Sequence, residues 1–164
     1  MRSVPVDERD FVVHLSPVRR ERANFIIDAD IAEQGSPRRF EQFWTRQLGE
    51  ARFEICCIPF FVYDLALGDE VETRAQGERL YVIERVVKPS GHYTFRAWFG
   101  DSTDPGARDV VIEAMRGLGS EFEWYSENLL AIDAADDERA QQVADFLHKH
   151  EQLGHLTYET GRSG

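Results

Sequence analysis

The feature that most constrains the fold is the order of hydrophobic patterns between residues 92 and 160. Strands alternate apolar and polar side chains with a period of two, whereas amphipathic helices repeat every 3.6 residues. The segments are a strand at 92–100, a helix between Pro105 and Gly119, strands at 121–125 and 129–133, a helix between Asp136 and Gly154, and a strand at 155–160. This order predicts the ferredoxin-like βαββαβ arrangement, with two helices on one face of an antiparallel sheet.

Both helical segments are bounded by residues that commonly start or end helices. Thr103 or Asp104 can cap the first helix, and Pro105 suits its first turn. Gly119 fits the C-terminal end of that helix, and Asp136 can cap the second one. The sequence therefore predicts where both helices begin, and the order of elements around them follows.

The first half of the chain contains six strand-like segments separated by turn residues. They are 11–15, 23–31, 40–48, 52–58, 70–75 and 79–88. Residues 40–48 fit a strand or a helix by pattern, and we favour the strand because Gly49-Glu50 then forms a tight hairpin. Successive antiparallel strands of this kind predict a β-meander that closes into a small barrel.

The fold class predicted is therefore α+β. A β-rich, barrel-like lobe at residues 1–88 packs on a ferredoxin-like lobe at residues 89–164. The junction, Pro89-Ser90-Gly91, is short. We expect the two lobes to form one compact unit instead of swinging apart, because so short a connection leaves little freedom between them.

Two adjacent cysteines and a nearby proline raise the question of thiol chemistry. Neighbours in a strand point to opposite faces, so Cys56 and Cys57 are poorly placed to bridge each other. Pro59 cannot donate to a strand ladder and ends the strand. We expect a buried structural pair. No metal site is predicted, because His148 and His150 point about 200° apart on a helix and no Cys/His spacing matches a site.

The formal net charge of −11 excludes a general nucleic-acid-binding protein, which needs a basic surface. No apolar run approaches the roughly 20 residues that a membrane span needs, and the N-terminal residues lack the apolar core of a signal peptide. We therefore expect a cytoplasmic protein with no nucleic-acid or membrane partner.

Most of the acidic excess lies between Asp101 and Glu138, where eleven acids accompany only two bases. Such a surface can serve solubility alone. It can also dock a basic protein partner, and charge complementarity then speeds association and makes it salt-sensitive. The residues assigned to this docking face are Glu121, Glu123, Asp133, Asp136, Asp137 and Glu138.

The polar face of the strand at 92–100 is the second candidate site. Alternation places His92, Thr94 and Arg96 together, opposite the apolar face that should meet the helices. With Asp69 they form a candidate ligand site. The same residues fit an inter-lobe interface in which His92 bonds the Gly68-Asp69 turn. No nucleophile completes a triad, so neither catalytic residues nor a cofactor are assigned.

Three short motifs occur in a fixed order along the chain. They are Pro59-Phe60-Phe61, Leu67-Gly68-Asp69 and Gly91-His92-Tyr93-Thr94. Between residues 40 and 160 the sequence resembles the bacterial family known as domain of unknown function 4265. That resemblance implies the two-part α+β fold and brings no catalytic residues with it.

Three functions follow from these patterns. The first is a non-enzymatic interaction protein, of the immunity or antitoxin kind, that binds a basic partner through the acidic docking face. The second is a small-molecule-binding module or enzyme with a pocket between the lobes around His92. A concave pocket that holds these side chains, together with a shifted pKa of His92, would favour the second function. The third is a homo-oligomer formed through the sheet.

Overall fold

The computed structural model describes residues 11–32, 39–101 and 105–163, and the predicted α+β class is confirmed. The strands are β1 (Phe11–Val12), β2 (Phe25–Asp30), β3 (Phe40–Gly49), β4 (Arg52–Ile55), β5 (Glu70–Gln76), β6 (Arg79–Lys88), β7 (Tyr93–Trp98), β8 (Phe122–Trp124), β9 (Leu129–Ala134) and β10 (Thr157–Thr160). The helices are α1 (Pro105–Leu118) and α2 (Asp137–Gln152), and a 3₁₀ turn spans Arg20–Arg22.

Strands β2 to β6 form a closed five-stranded barrel. The neighbours run in the order β3-β2-β6-β5-β4, and β4 pairs back with β3 to close the ring. β1 adds to the outside of β3 in parallel. Apolar side chains from the strands fill the interior, among them Ile27, Phe43, Phe53 and Val71. The barrel expected from the strand-like segments is thus confirmed.

β3 is the strand whose pattern also fitted a helix. It pairs along both edges, with β2 and with β4, so the hairpin requirement selects the strand. β4 ends at Ile55, earlier than the predicted end at Ile58. The chain leaves the barrel there, and Ile58 and Phe60 pack with Val12 and with Ala131 of the second sheet.

The second sheet is antiparallel, with strand order β10-β7-β9-β8. Both helices pack on the same side of this sheet and share one hydrophobic core with its inward side chains, such as Phe95. The buried helix residues are Val111 and Met115 of α1 and Val143 and Leu147 of α2. The helices therefore cover one face. The strand-helix-strand-strand-helix-strand order predicted from the hydrophobic patterns is confirmed.

The helix ends follow the sequence signals where the structure describes them. Asp136 caps α2, and its carboxylate accepts a hydrogen bond from the backbone N–H of Arg139 at 2.7 Å. Gly119 follows α1 with φ of +70°, a conformation that favours glycine. The predicted cap at Thr103 or Asp104 lies outside the described residues.

The turn that ends in Asp69 joins the barrel to the strand that opens the second sheet. The backbone N–H of Ser90 donates to the Asp69 carboxylate at 2.7 Å, and the Ser90 hydroxyl donates to the carbonyl of Leu67 at 2.7 Å. These bonds fix the junction on the barrel. The lobe boundary at residues 88 and 89 remains a prediction.

Among the described residues, no helix has the length and apolar character to cross a membrane.

Candidate functional site

One face of the second sheet packs against the barrel and its connections. The strand register places Arg96, Ala131 and Glu123 in one row across β7, β9 and β8, and Thr94 beside Asp133. All five residues are buried. The polar face that the sequence predicted is therefore covered by protein over most of its area, as the inter-lobe alternative requires.

A buried histidine held between two carboxylates lies at the centre of this contact. Nε2 of His14 is 2.7 Å from Glu41 Oε2, and Nδ1 is 2.8 Å from Glu123 Oε1. The ring stacks on Phe60 with a centroid distance of 4.0 Å. A neutral imidazole carries one N–H, so the ring can donate to both carboxylates only when it is protonated. We call these three side chains, His14, Glu41 and Glu123, the His14 clamp.

The two carboxylates of the His14 clamp also accept backbone hydrogen bonds. The donors are the N–H groups of Phe60, Phe61 and Val62 for Glu41, and those of Ile58 and Val18 for Glu123, at 2.7 to 3.3 Å. Hydrogen bonds to charged groups are roughly twice as strong as neutral ones. The clamp therefore ties the N-terminal segment, β3, β8 and the 58–62 connection together.

The electrostatics of His14 match a structural role. Burial by itself would lower its pKa, but the hydrogen bonds to Glu123 and Glu41 raise the pKa well above 6.5. The side chains of the clamp are at most 2% exposed, so no solute reaches them. The clamp therefore links elements of the fold at a place closed to solvent.

The sequence interpretation missed the His14 clamp, although a signal was present. In β3, Glu41 alternates with Phe43 and Thr45, and all three are buried. In the first segment, Val12 and His14 are buried while Val13 is exposed. An ionisable residue at an inward position of an alternating strand needs a buried partner. His14 and Glu41 both occupy such positions, so the pattern could have identified them as partners.

Arg96, assigned to the ligand site from sequence, lies elsewhere. Its guanidinium bonds Glu159 at 2.9 Å and the carbonyls of Pro59 and Val62, and it lies 4.9 Å from the ring centroid of Tyr63. The side chain is almost fully buried in these contacts. Arg96 therefore fastens the 59–63 connection to the second sheet instead of facing a ligand.

Cys56 and Cys57 are both buried and free, as a structural pair would be. Burial raises the pKa of Cys56 to about 11 and also raises that of Cys57. Thiols that stay protonated at neutral pH are poor nucleophiles.

A second histidine–carboxylate pair lies near the surface. Nδ1 of His92 is 2.8 Å from Asp133 Oδ2, and the His92 side chain is 17% exposed. The expected bond from His92 to the Gly68-Asp69 turn is replaced by this pair. Asp69 instead accepts hydrogen bonds from the backbone N–H groups of Ala66 and Ser90. The His92 backbone N–H donates to the Ser90 hydroxyl, which itself bonds the turn.

The pKa values of both members of this pair, His92 and Asp133, are raised above those of the free side chains. The hydrogen bond to Asp133 raises the pKa of His92, against the lowering effect of burial. Burial raises the pKa of Asp133, although His92 partly offsets this. Asp69 also raises the pKa of His92, and the nearby Arg19 lowers it. His92 therefore keeps its proton to a higher pH than a free histidine does.

His92 lines an open cleft of about 190 Å³ between the barrel turn, the junction and the C-terminal segment. We call it the His92 cleft. Its walls include Leu65, Asp69, His92, Thr94, Gly161 and Arg162. Of the four residues assigned to a ligand site, the structure therefore gathers His92, Thr94 and Asp69 and separates Arg96 from them.

The C-terminal wall of the His92 cleft depends on a close backbone approach. The N–H of Gly161 donates to the carbonyl of Thr94 at 2.7 Å, and the carbonyl of Gly161 accepts from Asp64 N–H at 2.6 Å. A Cβ at position 161 would lie 2.9 Å from Cβ of Thr94, closer than such atoms pack. Glycine lets the chain close over this side of the cleft.

The six acids assigned to a docking face do not share one environment. Glu123 and Asp133 are buried in their pairs with His14 and His92, which corrects their assignment to an exposed surface. The other four, Glu121, Asp136, Asp137 and Glu138, are exposed.

Comparisons with known proteins give a family and a fold. Residues 41–158 match the model of the family described as domain of unknown function DUF4265. No curated protein matches the chain. The structure is similar to the crystal structure of a hypothetical protein from Neisseria gonorrhoeae, with a TM-score of 0.70 and 19% sequence identity, over 85% of this chain and 94% of that one. At that identity the likeness concerns the fold alone. Since the matched residues cover most of the chain, the protein belongs to the DUF4265 family.

Proposed function

We propose that the protein is a small-molecule-binding module whose site is the His92 cleft. The observation that supports this most is the geometry of His92 itself. Its Nδ1 is fixed by Asp133, while Nε2 has no hydrogen-bond partner among the described residues. A fixed polar group with an unpaired ring nitrogen in a concave, partly apolar wall is the usual composition of a ligand site.

Two further features support a site over a filled interface. The turn around Asp69 is held by backbone hydrogen bonds, so the barrel side of the cleft is rigid before any ligand arrives. The C-terminal segment closes the other side through Gly161 and Thr94. A site built from such fixed elements loses little conformational entropy when a ligand binds.

A ligand screen by two-dimensional NMR on labelled protein tests the proposal. The screen contains neutral, cationic and anionic small molecules, and we expect at least one to move the amide signals of Leu65, Gly91 and Gly161 together. Ala66→Leu adds bulk to the cleft wall and should abolish that binding. Ala75→Leu, on an exposed position of β5, is the matched control. Hits that move only signals far from the cleft would contradict the proposal.

A second function is supported by the exposed acids. We propose as the alternative a cytoplasmic interaction protein, of the immunity or antitoxin kind, that binds a basic protein through Glu121, Asp136, Asp137 and Glu138. Exposure of all four in the structure is the supporting observation. Electrostatic complementarity of this kind makes association fast and salt-sensitive.

A pull-down from host lysate at low and high salt tests the alternative. The variant Glu121→Gln, Asp137→Asn, Glu138→Gln removes three charges from the exposed acids and leaves the helix cap intact. The control Glu21→Gln, Glu50→Gln, Glu78→Gln removes three exposed charges elsewhere. A stoichiometric basic protein that is lost with salt and with the first variant only would support this function. Equal retention by both variants would reject it.

A further inference from the structure

The polar groups of the His92 cleft differ in how far their hydrogen-bonding capacity is used. Both oxygens of Asp69 already accept backbone N–H groups, and both oxygens of Asp64 bond Ser163. In contrast, His92 Nε2 and the Arg162 guanidinium make no hydrogen bond within the described part of the chain. Each carboxylate oxygen of the cleft is therefore already engaged once, whereas the His92 and Arg162 nitrogens are not engaged by any described residue.

Arg162 is exposed and forms part of the cleft wall. Its guanidinium lies 4.9 Å from the ring centroid of Tyr93, and both residues are part of the cleft wall. Stacking on an aromatic ring holds the planar group while leaving its N–H edge free, and that edge matches a carboxylate or a phosphate. Two cationic donors of different residue types thus share one small cavity.

The rest of the wall sets the size and polarity of the ligand. Leu65, Ala66, Val86 and Pro89 provide apolar surface. The volume of about 190 Å³ corresponds to roughly six water molecules at the liquid volume of about 30 Å³ each. A molecule of that size can place one charged group on the donors and a short apolar body against these side chains.

Resting on the proposed function, we infer that the His92 cleft binds a small organic acid, a molecule with one carboxylate or phosphate group and a compact apolar body. The anionic group accepts a hydrogen bond from Nε2 of His92 and pairs with Arg162. The apolar body packs on the barrel side of the cleft.

The charges around His92 determine how binding depends on pH. Asp133 on β9 and Asp69 on the barrel turn raise the pKa of His92, whereas Arg19 near the 3₁₀ turn lowers it. Glu121, which directly precedes β8, also lies near His92, whose charge lowers the pKa of Glu121. The raised pKa keeps Nε2 as a cationic donor to a higher pH than in a free histidine. The affinity for an anion should therefore fall as the pH rises through the pKa of His92.

The experiment uses short four-carbon probes that differ in charge. Butyrate, butyl phosphate, butanol and butylammonium are titrated into the labelled protein at pH 6 and again at pH 9. We expect the two anions to move the cleft signals at pH 6. Butyrate, whose charge is the same at both pH values, should bind more weakly at pH 9. The comparison of butyrate with butyl phosphate identifies which anionic group the cleft prefers.

Single substitutions test whether His92 and Arg162 each contribute to anion binding. We expect His92→Gln to weaken anion binding by roughly ten-fold or more, the effect of losing a charged hydrogen bond. Arg162→Gln lies on the exposed C-terminal segment and keeps the test valid should His92→Gln fail to fold. His148→Gln and Arg85→Gln are matched controls on exposed positions outside the cleft, and we expect wild-type affinity for both.

The outcomes separate this inference from the proposed function. If butanol or butylammonium moves the amide signals of the cleft and binds more tightly than the anions, the organic-acid inference is overturned and the small-molecule function is kept. Anion binding that all four variants leave unchanged would also overturn it. If neither the four probes nor any molecule of the screen moves the amide signals of the cleft, both the organic-acid inference and the proposed small-molecule function are overturned.

Discussion

Replacing His14 should destabilise the fold more than any other single histidine substitution in the described residues. In His14→Gln the charge is lost while Glu41 and Glu123 stay buried. Removing one partner of a buried ion pair costs about 3–5 kcal/mol, because it leaves an uncompensated charge. The backbone donors to both carboxylates remain, but a neutral amide cannot supply two charged hydrogen bonds at 2.7 and 2.8 Å.

This loss is large compared with the whole stability of a domain, which is about 5–15 kcal/mol. At about 2–4 °C per kcal/mol for a chain of this size, the melting temperature should fall by about 6–20 °C. Urea unfolding at pH 7, followed by tryptophan fluorescence and circular dichroism, measures the free energy directly. The slope with urea should stay unchanged, since the surface exposed on unfolding is the same.

A double-mutant cycle identifies the cause of the loss. If an uncompensated carboxylate is responsible, the double variant His14→Gln, Glu123→Gln should lose less free energy of unfolding than the two single variants lose in sum. His148→Gln, at an exposed position on α2, controls for a general effect of losing a histidine. A loss below about 1 kcal/mol for His14→Gln, within the range of an ordinary hydrogen bond, would refute the reasoning.

The pH dependence has a defined sign. The folded pKa of His14 is raised above its unfolded value of 6.5. The stabilisation is therefore fully present below pH 6.5 and is lost as the pH rises through the folded pKa. The stability difference between wild type and His14→Gln should be largest below pH 6.5 and should shrink as the pH rises through the folded pKa of His14. A difference that grows with rising pH would contradict a protonated His14.

Three further predictions follow from the other contacts. Arg96→Met should cost about 1–3 kcal/mol in urea unfolding, because buried carbonyls of the 59–63 connection lose their donor; an unchanged midpoint would contradict that role. Asp69→Asn should lower the pKa of His92 in an NMR titration, because the Asp69 charge contributes to its rise, and an unshifted titration would argue against the coupling. Cys56 and Cys57 should resist iodoacetamide at pH 7.5 in the native protein, because both thiols are buried and have raised pKa values. Labelling that mass spectrometry shows to be faster than global unfolding would contradict this prediction.

Local patterns predicted most of the architecture. The period of two in β7 and the period of 3.6 in α2 are properties of short segments, and each segment buries one face whatever its partner is. The hairpin chemistry of Gly49-Glu50 likewise decided that residues 40–49 form a strand. The early end of β4 at Ile55 was not predictable, because it depends on where Ile58 and Phe60 find an apolar surface across the molecule.

The candidate site was predicted only in part, for the same physical reason. Alternation placed His92 and Thr94 on one face, and turn chemistry identified Asp69, but neither indicates which side chains meet. Arg96 shares the strand face with His92 and still points to a different set of partners. The two acids that the charge pattern assigned to the surface, Glu123 and Asp133, are buried because a histidine from another part of the chain pairs with each.

The sequence by itself determined the fold class, the order of the elements, the helix cap at Asp136 and the buried state of the cysteines, since these depend on residues close together in the chain. Only the tertiary structure decided that His14 lies between Glu41 and Glu123, which are separated from it by 27 and 109 positions. It likewise decided that a cleft remains open beside His92. Long-range pairing of charges and the shape of the space between packed elements depend on the whole chain, and no local pattern encodes them.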